Sequence, residues 1–503
     1  MLKGFGRKFP PLKILTDEQV EAIHQGALDL LSQTGVVMEH DRALQPFEKN
    51  DCKVDRESKR VRISPALVED CIRRAPSSFR VRARDPKRDI VFDSSNLYFS
   101  TFPGMNTIDI DTWEPRVATR KENYDAVTVL DAMDNLHNIC CYCAYFGFKG
   151  VIPAMAIPES VAAKIRNSTL TQITGYGANC ERFVLDMALA IDIDIMQQMP
   201  ISAPLVNYHD AIESAFLFVE AGMPMTISSS GILGGTYPAT QAGGLVVALA
   251  EALSALVLIQ LIRPGARVTA GTFTFPQNMR AGSPAFGAIG VGLHAAAHNQ
   301  IWRKYNIPMW NYATGLSSSK RIDFQDGYEK SINAVISAIS GASIMMLHGG
   351  VSSELTFHPF QAILDDDIAG MIGRFLEGIK VSEATLALDL IAEVGPIPGS
   401  YLATQHTREW WSQEQFVPKA TDRLTYPEWM KTGKKSCLDY ARGKMEEILA
   451  VHKVSIPLTE SQEEDLERIL REGREYYKKK GMVSDDELAA MKEDLSSPGY
   501  PYG

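Results

Sequence analysis

Residues 310–367 read WNYATGLSSSKRIDFQDGYEKSINAVISAISGASIMMLHGGVSSELTFHPFQAILDDD. A strand-like WNYATG is followed by a polar loop, an amphipathic helix, a second apolar strand and a polar-aromatic segment. This is one β/α unit running into the next strand, the cadence of a parallel sheet. The second strand stops abruptly at His348, Gly349 and Gly350. A barrel strand ends this way when it delivers a polar side chain to the open end where enzymes of this architecture keep their chemistry.

The same alternation continues upstream. Strand cores read at 97–102 (LYFSTF), 138–146 (NICCYCAYF), 171–176 (TQITGY), 201–206 (ISAPLV), 225–231 (MTISSSG), 267–273 (RVTAGTF), 309–315 and 343–349. Helices read between them at 123–133, 158–170, 182–195, 209–221, 240–262, 287–305 and 326–340. Eight strands predict an α/β chain closed into a TIM (β/α)8 barrel. A doubly wound open sheet is the competing architecture, but no strand runs into GxGxxG, and GILGG after MTISSSG is a poor match.

Residues 1–95 read as an N-terminal cap subdomain of helices and short strands, opening with a helix that Thr16 caps. The barrel spans 96–453. Residues 406–429, HTREWWSQEQFVPKATDRLTYPEW, are an aromatic, proline-broken excursion that packs across the barrel or serves an interface between copies in a homo-oligomer. Residues 454–503 change character to charged helices and read as an exposed C-terminal helical extension.

The 503 residues are 45% hydrophobic and 22% charged, an ordinary globular composition. A net charge of −10 disfavours a phosphate backbone, so no nucleic-acid partner is expected. The long apolar run at 245–262 carries Glu251 and Gln260 and stops at Arg-Pro-Gly, which makes it a core helix; no membrane association is expected. The N-terminus lacks an apolar signal core, leaving the cytoplasm as the expected compartment.

Seven cysteines include Cys140, Cys141 and Cys143, whose spacing does not suit a thiolate metal site; they read as reduced core thiols. His294 and His298 share one helical face, but no Glu lies between them and no third ligand is evident. No metal is expected. His348 either contacts a ligand or is satisfied by a neighbouring carbonyl at the rim. Asn311 is a second candidate, because a buried amide must find partners. Asp365, Asp366 and Asp367 read as charges at a helix N-terminus, and Ser317 to Lys320 as a small-residue loop.

Aromatic residues recur along the strands. Tyr98, Phe102, Trp310, Tyr312 and Phe357 are the candidates to line a site. Most such rings fill a core, yet several around one mouth would also cage a quaternary ammonium, at about 0.5–2 kcal/mol per good contact.

Three segments together carry a resemblance: TYPATQAGGLVVALAEALSALVLIQLIRPGARV at 236–268, NMRAGSPAFGAIG at 278–290, and SSSKRIDFQDGYEKSINAVISAISGAS at 317–343. In this order and spacing, over about residues 10–453, the chain resembles the trimethylamine methyltransferase superfamily. In LTDEQVEAIHQGALDLL, RIDFQDGYEK and AILDDDIAGMIGRFLEGI it is similar to members lacking pyrrolysine that demethylate glycine betaine. The resemblance implies a TIM barrel and methyl transfer to Co(I) of a corrinoid (cobalamin) carried by a separate protein, within one-carbon metabolism. The chain shows only standard residues where the trimethylamine enzyme carries pyrrolysine, which points away from trimethylamine and toward an amine already quaternary. Such a substrate needs no catalytic acid or base, only positioning. On this reading His348, assisted by Asn311, holds the substrate carboxylate and the aromatics hold the ammonium. Proline betaine or carnitine are alternative substrates. A non-catalytic betaine-binding protein and a zinc-dependent methyltransferase are the alternatives of other classes.

Overall fold

A computed structural model describes residues 4–140, 142–145 and 147–502. Cys141 and Phe146, part of the expected second strand, lie outside the described residues. Eight parallel strands form the centre: β1 (Asn96–Thr101), β2 (Asn138–Ile139), β3 (Thr171–Thr174), β4 (Ile195–Ser202), β5 (Met225–Ser230), β6 (Val268–Thr272), β7 (Met309–Asn311) and β8 (Ile344–His348). Each pairs with the next, and β8 pairs with β1. The sheet therefore closes on itself, and the barrel is the TIM type.

After each strand comes a helix: α1 (Arg120–Asp131), α2 (Ala156–Asn167), α3 (Glu181–Ile191), α4 (His209–Glu220), α5 (Gln241–Ile262), α6 (Ile289–Lys304), α7 (Phe324–Ser340) and α8 (Pro359–Leu376). The fourth strand begins six residues before the 201–206 segment that the apolar pattern marks. Gln197, Gln198 and Pro200 interrupt its hydrophobic run, yet all three lie within β4. Among the described residues α5 is the one helix long and apolar enough to cross a membrane, and 78% of its apolar window is buried inside the protein.

The segments before β1 wrap the barrel. Thr16 and Gln19 form a reciprocal capping box that starts the helix Asp17–Asp29. Val36–Met38 extends the sheet beyond β4 by pairing with Val206–Asn207. The hairpin Phe79–Val81/Ile90–Phe92 lies against the barrel's N-terminal end, with Phe92 packed on Trp310 and Tyr98.

Beyond α8 come α9 (Cys437–Val451), α10 (Glu460–Lys479) and α11 (Asp485–Leu495). The expectation of an exposed appendage is corrected here. Leu466, Ile469, Leu470, Gly473 and Tyr477 lie on one face of α10 and are buried against the barrel. Ion pairs rivet the same helix down: Arg166 of α2 to Glu463 and Glu467, both at 2.5 Å, and Arg474 to Glu159. High charge masked a narrow apolar stripe that suffices for docking. Arg474 grips Glu159 Oε1 through both Nε and Nη2. Because a lysine lacks this planar fork, Arg474→Lys is expected to lower stability by about 1–2 kcal/mol in urea unfolding.

Candidate active site

Inward and outward residues alternate along each strand, and this sorts the expected site residues into three groups. The first lies low in the barrel. Tyr98, Ile344 and Trp310 pair side by side across β1, β8 and β7. Phe92 sits 6.1 Å from Tyr98 and 6.3 Å from Trp310, and the Tyr98 hydroxyl donates to the Val91 carbonyl at 3.2 Å. Tyr312 stacks flat on Trp310, centroids 5.3 Å apart and planes 6° apart, and its hydroxyl meets Thr226 Oγ1. Gly271 permits this, since a Cβ there would enter the Tyr312 ring. Buried among these groups, Trp310 Nε1 and Thr269 Oγ1 make no hydrogen bond, leaving two donors available at the barrel floor.

A second group lies at the mouth. Phe102 follows β1, and Phe357 closes the short hairpin Gly350–Val351/Thr356–Phe357. A side chain on Gly349, the first of the two glycines that end the LHGG motif, would enter the Phe357 ring, and one on Gly350 would press on Phe102. Tyr145 meets Phe357 edge-on at 5.8 Å. Phe102 and Phe357 thus lie against the same pair of glycines.

The same hairpin carries Glu354, which sequence reasoning missed. Its tip is held from both sides: Ser352 and Ser353 donate backbone N–H to Ser319 and Ser317 carbonyls, while Met105 and Asn106 donate to the Leu355 carbonyl. Ser352 and Ser353 adopt left-handed backbone conformations, φ 54° and 62°. Glu354 is half-buried, its Oε2 is enclosed with no hydrogen-bond partner, and burial raises its pKa above the ordinary value. The nearest signal in the sequence is a lone glutamate in a serine-rich turn, a pattern with no periodicity to orient it.

His348 and Asn311 form the third group, and both face away from the barrel interior. The register of β8 against β1 shifts between Met346 and His348. Such an irregularity lets neighbouring residues share a face, and His348 turns outward with Leu347. It lies edge-on to Phe99 at 6.1 Å, and its Nε2 is 3.3 Å from Asp366 Oδ1 on α8. Asn311 is outward because its neighbours Trp310 and Tyr312 are inward. It exchanges hydrogen bonds with Asn299 of α6 and accepts from Ser337 of α7. Neither is placed to grip a substrate carboxylate.

The aspartate triplet also departs from expectation. Asp365, Asp366 and Asp367 lie inside α8, not at its start, and all three are buried. Asp365 pairs with the fully buried Lys330 of α7 at 2.9 Å and accepts from the Gly349 backbone N–H at 2.8 Å. Asp366 accepts from the Asn135 backbone N–H, and Asp367 from those of Lys419 and Ala420. Glu329 accepts from the Ser317 hydroxyl and the Ser318 N–H. Asp323 caps α7. Asp366 and Asp367 brace the segment before β2 and the chain beyond α8, whereas Asp323, Glu329 and Asp365 tie down the loops of the mouth.

Glu251 of α5 does the same on the opposite side. Fully buried, it accepts from the Leu205 N–H at 2.8 Å and from the Tyr237 hydroxyl, tying together the loops after β4 and β5. Burial pushes its pKa up to about 7. The folded protein therefore holds this proton more tightly than the unfolded chain, so the contribution is favourable at low pH and is lost as pH rises toward and through 7. Glu251→Gln is expected to flatten the fall in thermal midpoint between pH 5 and pH 8, measured by calorimetry.

His294 Nδ1 lies 3.3 Å from Gln241 Oε1, and His298 Nε2 3.4 Å from the Ala270 carbonyl. Burial lowers both, to about 3 and about 4. Among the described residues no group of three His, Cys, Asp or Glu side chains is arranged to hold a metal ion. Cys140 and Cys143 are buried and unoxidised, and burial raises the Cys143 thiol.

Comparison with known proteins identifies the family. The family model described as trimethylamine methyltransferase matches residues 1–145 and 186–475. The chain is 31% identical over 495 residues to the trimethylamine methyltransferase MttB of Desulfitobacterium hafniense (strain DSM 10664 / DCB-2), covering 95% of this chain and 96% of that protein. It is 28% identical over 463 residues to the glycine betaine methyltransferase of Desulfitobacterium hafniense (strain Y51), covering 88% and 94%. The crystal structure of the Methanosarcina barkeri monomethylamine methyltransferase aligns with a TM-score of 0.47 at 13% identity, covering 86% of this chain and 94% of that one. With the family model spanning most of the chain, the protein belongs to the trimethylamine methyltransferase family.

Proposed function

We propose that the protein moves a methyl group from a quaternary amine, glycine betaine, to Co(I) of a corrinoid carried by a partner protein, releasing dimethylglycine. Methyl transfer from a methylated amine rests on family membership and on relatives named for trimethylamine and for glycine betaine. The narrower substrate rests on the site. The observation that carries it is the Glu354 carboxylate, whose Oε2 is enclosed without a hydrogen-bond donor, on the hairpin that also bears Phe357, beside Phe102 and Tyr145.

An anion and ring faces together suit a permanent cation that offers no N–H to donate. The methyls then face the mouth, and the carboxylate of the substrate points to the floor, where Trp310 Nε1 and Thr269 Oγ1 have hydrogens to give. This replaces His348 and Asn311 in that role.

Chemically the step is simple. The N–CH3 bond breaks with its electron pair left on nitrogen, and the amine departs neutral, so no proton need move. Co(I) supplies the electron pair for the new bond to carbon. The chain's own work is to orient one methyl outward and keep water away, which proximity and desolvation accomplish. Reduced cobalamin, purified enzyme and a panel of quaternary and tertiary amines, followed by cobalamin absorbance, test the proposal directly. Proline betaine and carnitine belong in the panel as larger carboxylate-bearing substrates.

A further inference from the structure

The end of the chain reaches back toward the mouth of the barrel. None of the eleven residues of α11, all of them described, is buried, and Met491 packs only partly against the core. A helix held so lightly opens easily, so its place is fixed by the joint it makes at its C-terminal end. Arg120 is the centre of that joint. It is the first residue of α1, which starts at the mouth end of the barrel, and it is only 7% exposed. A buried cation there opposes the helix dipole and needs a counter-charge. Asp494 of α11 supplies it, accepting from Nε at 3.2 Å and from Nη2 at 2.5 Å, while Glu159 lies 3.7 Å from Nη1. The guanidinium also lies over two rings, Phe148 of the loop after β2 at 4.8 Å and Tyr500 of the tail at 4.9 Å. Tyr500 is tied in turn to α10, its hydroxyl accepting from Arg474 and donating to Glu467, each at 2.9 Å. Tail and loop touch at Gly150, where a Cβ would strike Asp494.

The same turn of α1 reaches the candidate site. Asn123 follows Arg120 at i+3 and so shares its face, and its side-chain amide donates to the Ala144 carbonyl, next to Tyr145. The Lys149 N–H donates to the Ala118 carbonyl at 3.2 Å, just ahead of the helix. Tyr145 meets Phe357 at the mouth. One helical turn therefore has the tail's ion pair on one side and the backbone that carries Tyr145 on the other.

We infer that the tail is a latch: Asp494 and Tyr500 pin Arg120, and through the first turn of α1 they position Tyr145 at the mouth. Arg120 and Asp494 are positioning residues, since neither touches the substrate. The inference rests on the proposed function, which places Tyr145 beside the amine. With the latch closed, the ring is held where a cation can meet its face. With it open, the ring loses that place, and the loss falls on binding rather than on the transfer step.

Hydrogen exchange of the full-length protein, with Asp494→Asn compared against the parent, tests the latch. The amide keeps the shape of the side chain and removes its charge. Exchange should quicken about tenfold in peptides covering 118–124, 142–152 and 485–502, as loss of a charge-assisted bond does to a local opening, and stay unchanged in β5 and α4 across the barrel. KM for the quaternary amine should rise about 2- to 5-fold with kcat held, the share of one ring–cation contact. Tyr500→Leu keeps the ion pair and removes a ring, so the same three segments should loosen to a smaller degree. Exchange at 142–152 that neither variant alters overturns the inference. So does faster exchange throughout the chain, which marks a brace for the whole fold, or a loosened loop with KM unmoved. If the parent protein methylates cobalamin with no amine, the proposed function fails, and the exchange pattern at 142–152 alone decides the latch.

Discussion

Replacing Lys330 with Met should destabilise the protein by about 3–5 kcal/mol and abolish activity in whatever fraction remains folded. Lys330 is completely buried, 2.9 Å from Asp365 and 3.9 Å from Asp326. Without it two carboxylates share an interior with no cation, and the penalty of burying an unpaired charge exceeds the worth of the bond that is lost. Burial already drives Asp326 well above the ordinary carboxylate range, and Asp365 adds to that push. The damage reaches the site because Asp365 also holds the Gly349 backbone, where β8 gives way to the hairpin bearing Phe357 and Glu354. Urea unfolding of the variant reads the stability. A change below about 1 kcal/mol, the usual value for a surface pair, would show that Lys330 and Asp365 do not form the buried bond described.

Glu354→Gln should lower kcat/KM for quaternary amines by about 10- to 100-fold, chiefly through KM, since a charge meeting a cation in an enclosed site is worth roughly 1.4–2.7 kcal/mol. The amide keeps the shape of the side chain and removes only its charge. Substrates with and without a carboxylate should suffer alike, because the ammonium is common to both. Steady-state kinetics across the amine panel measures this. Equal kinetics for the variant and the parent protein would remove Glu354 from the substrate's surroundings.

The barrel was legible in the sequence because alternating apolar strands and long helices leave few other ways to bury so much surface. The candidate site was legible only in part, and the failures have physical causes. Trp310, Asn311 and Tyr312 cannot all face one side of a strand, so period-two alternation should have set Asn311 apart once the two rings were placed inside. His348 obeys no such rule, because the register shift beside it turns the side chain toward Asp366. The α8 triplet misled because acidic residues are usual at helix starts, whereas here each aspartate meets a donor from a neighbouring element. Glu354 was invisible because a turn has no period. Phe102 and Phe357, named because aromatics recur along the chain, lie against the two glycines that follow His348.

The proposed substrate also explains how a site could work without acid or base. A quaternary nitrogen carries its leaving-group charge from the outset, so binding it correctly is most of the chemistry. Under the proposed function the aromatic mouth, the enclosed Glu354 oxygen and the unpaired donors at the floor are each assigned a different part of glycine betaine.

The measurement that tests this most directly is methylation of reduced cobalamin by the purified enzyme, followed by absorbance, with glycine betaine and trimethylamine compared side by side. Methylation with glycine betaine, accompanied by stoichiometric dimethylglycine, and none with trimethylamine is the predicted result. Methylation with trimethylamine alone, or with no quaternary amine in the panel, would contradict it.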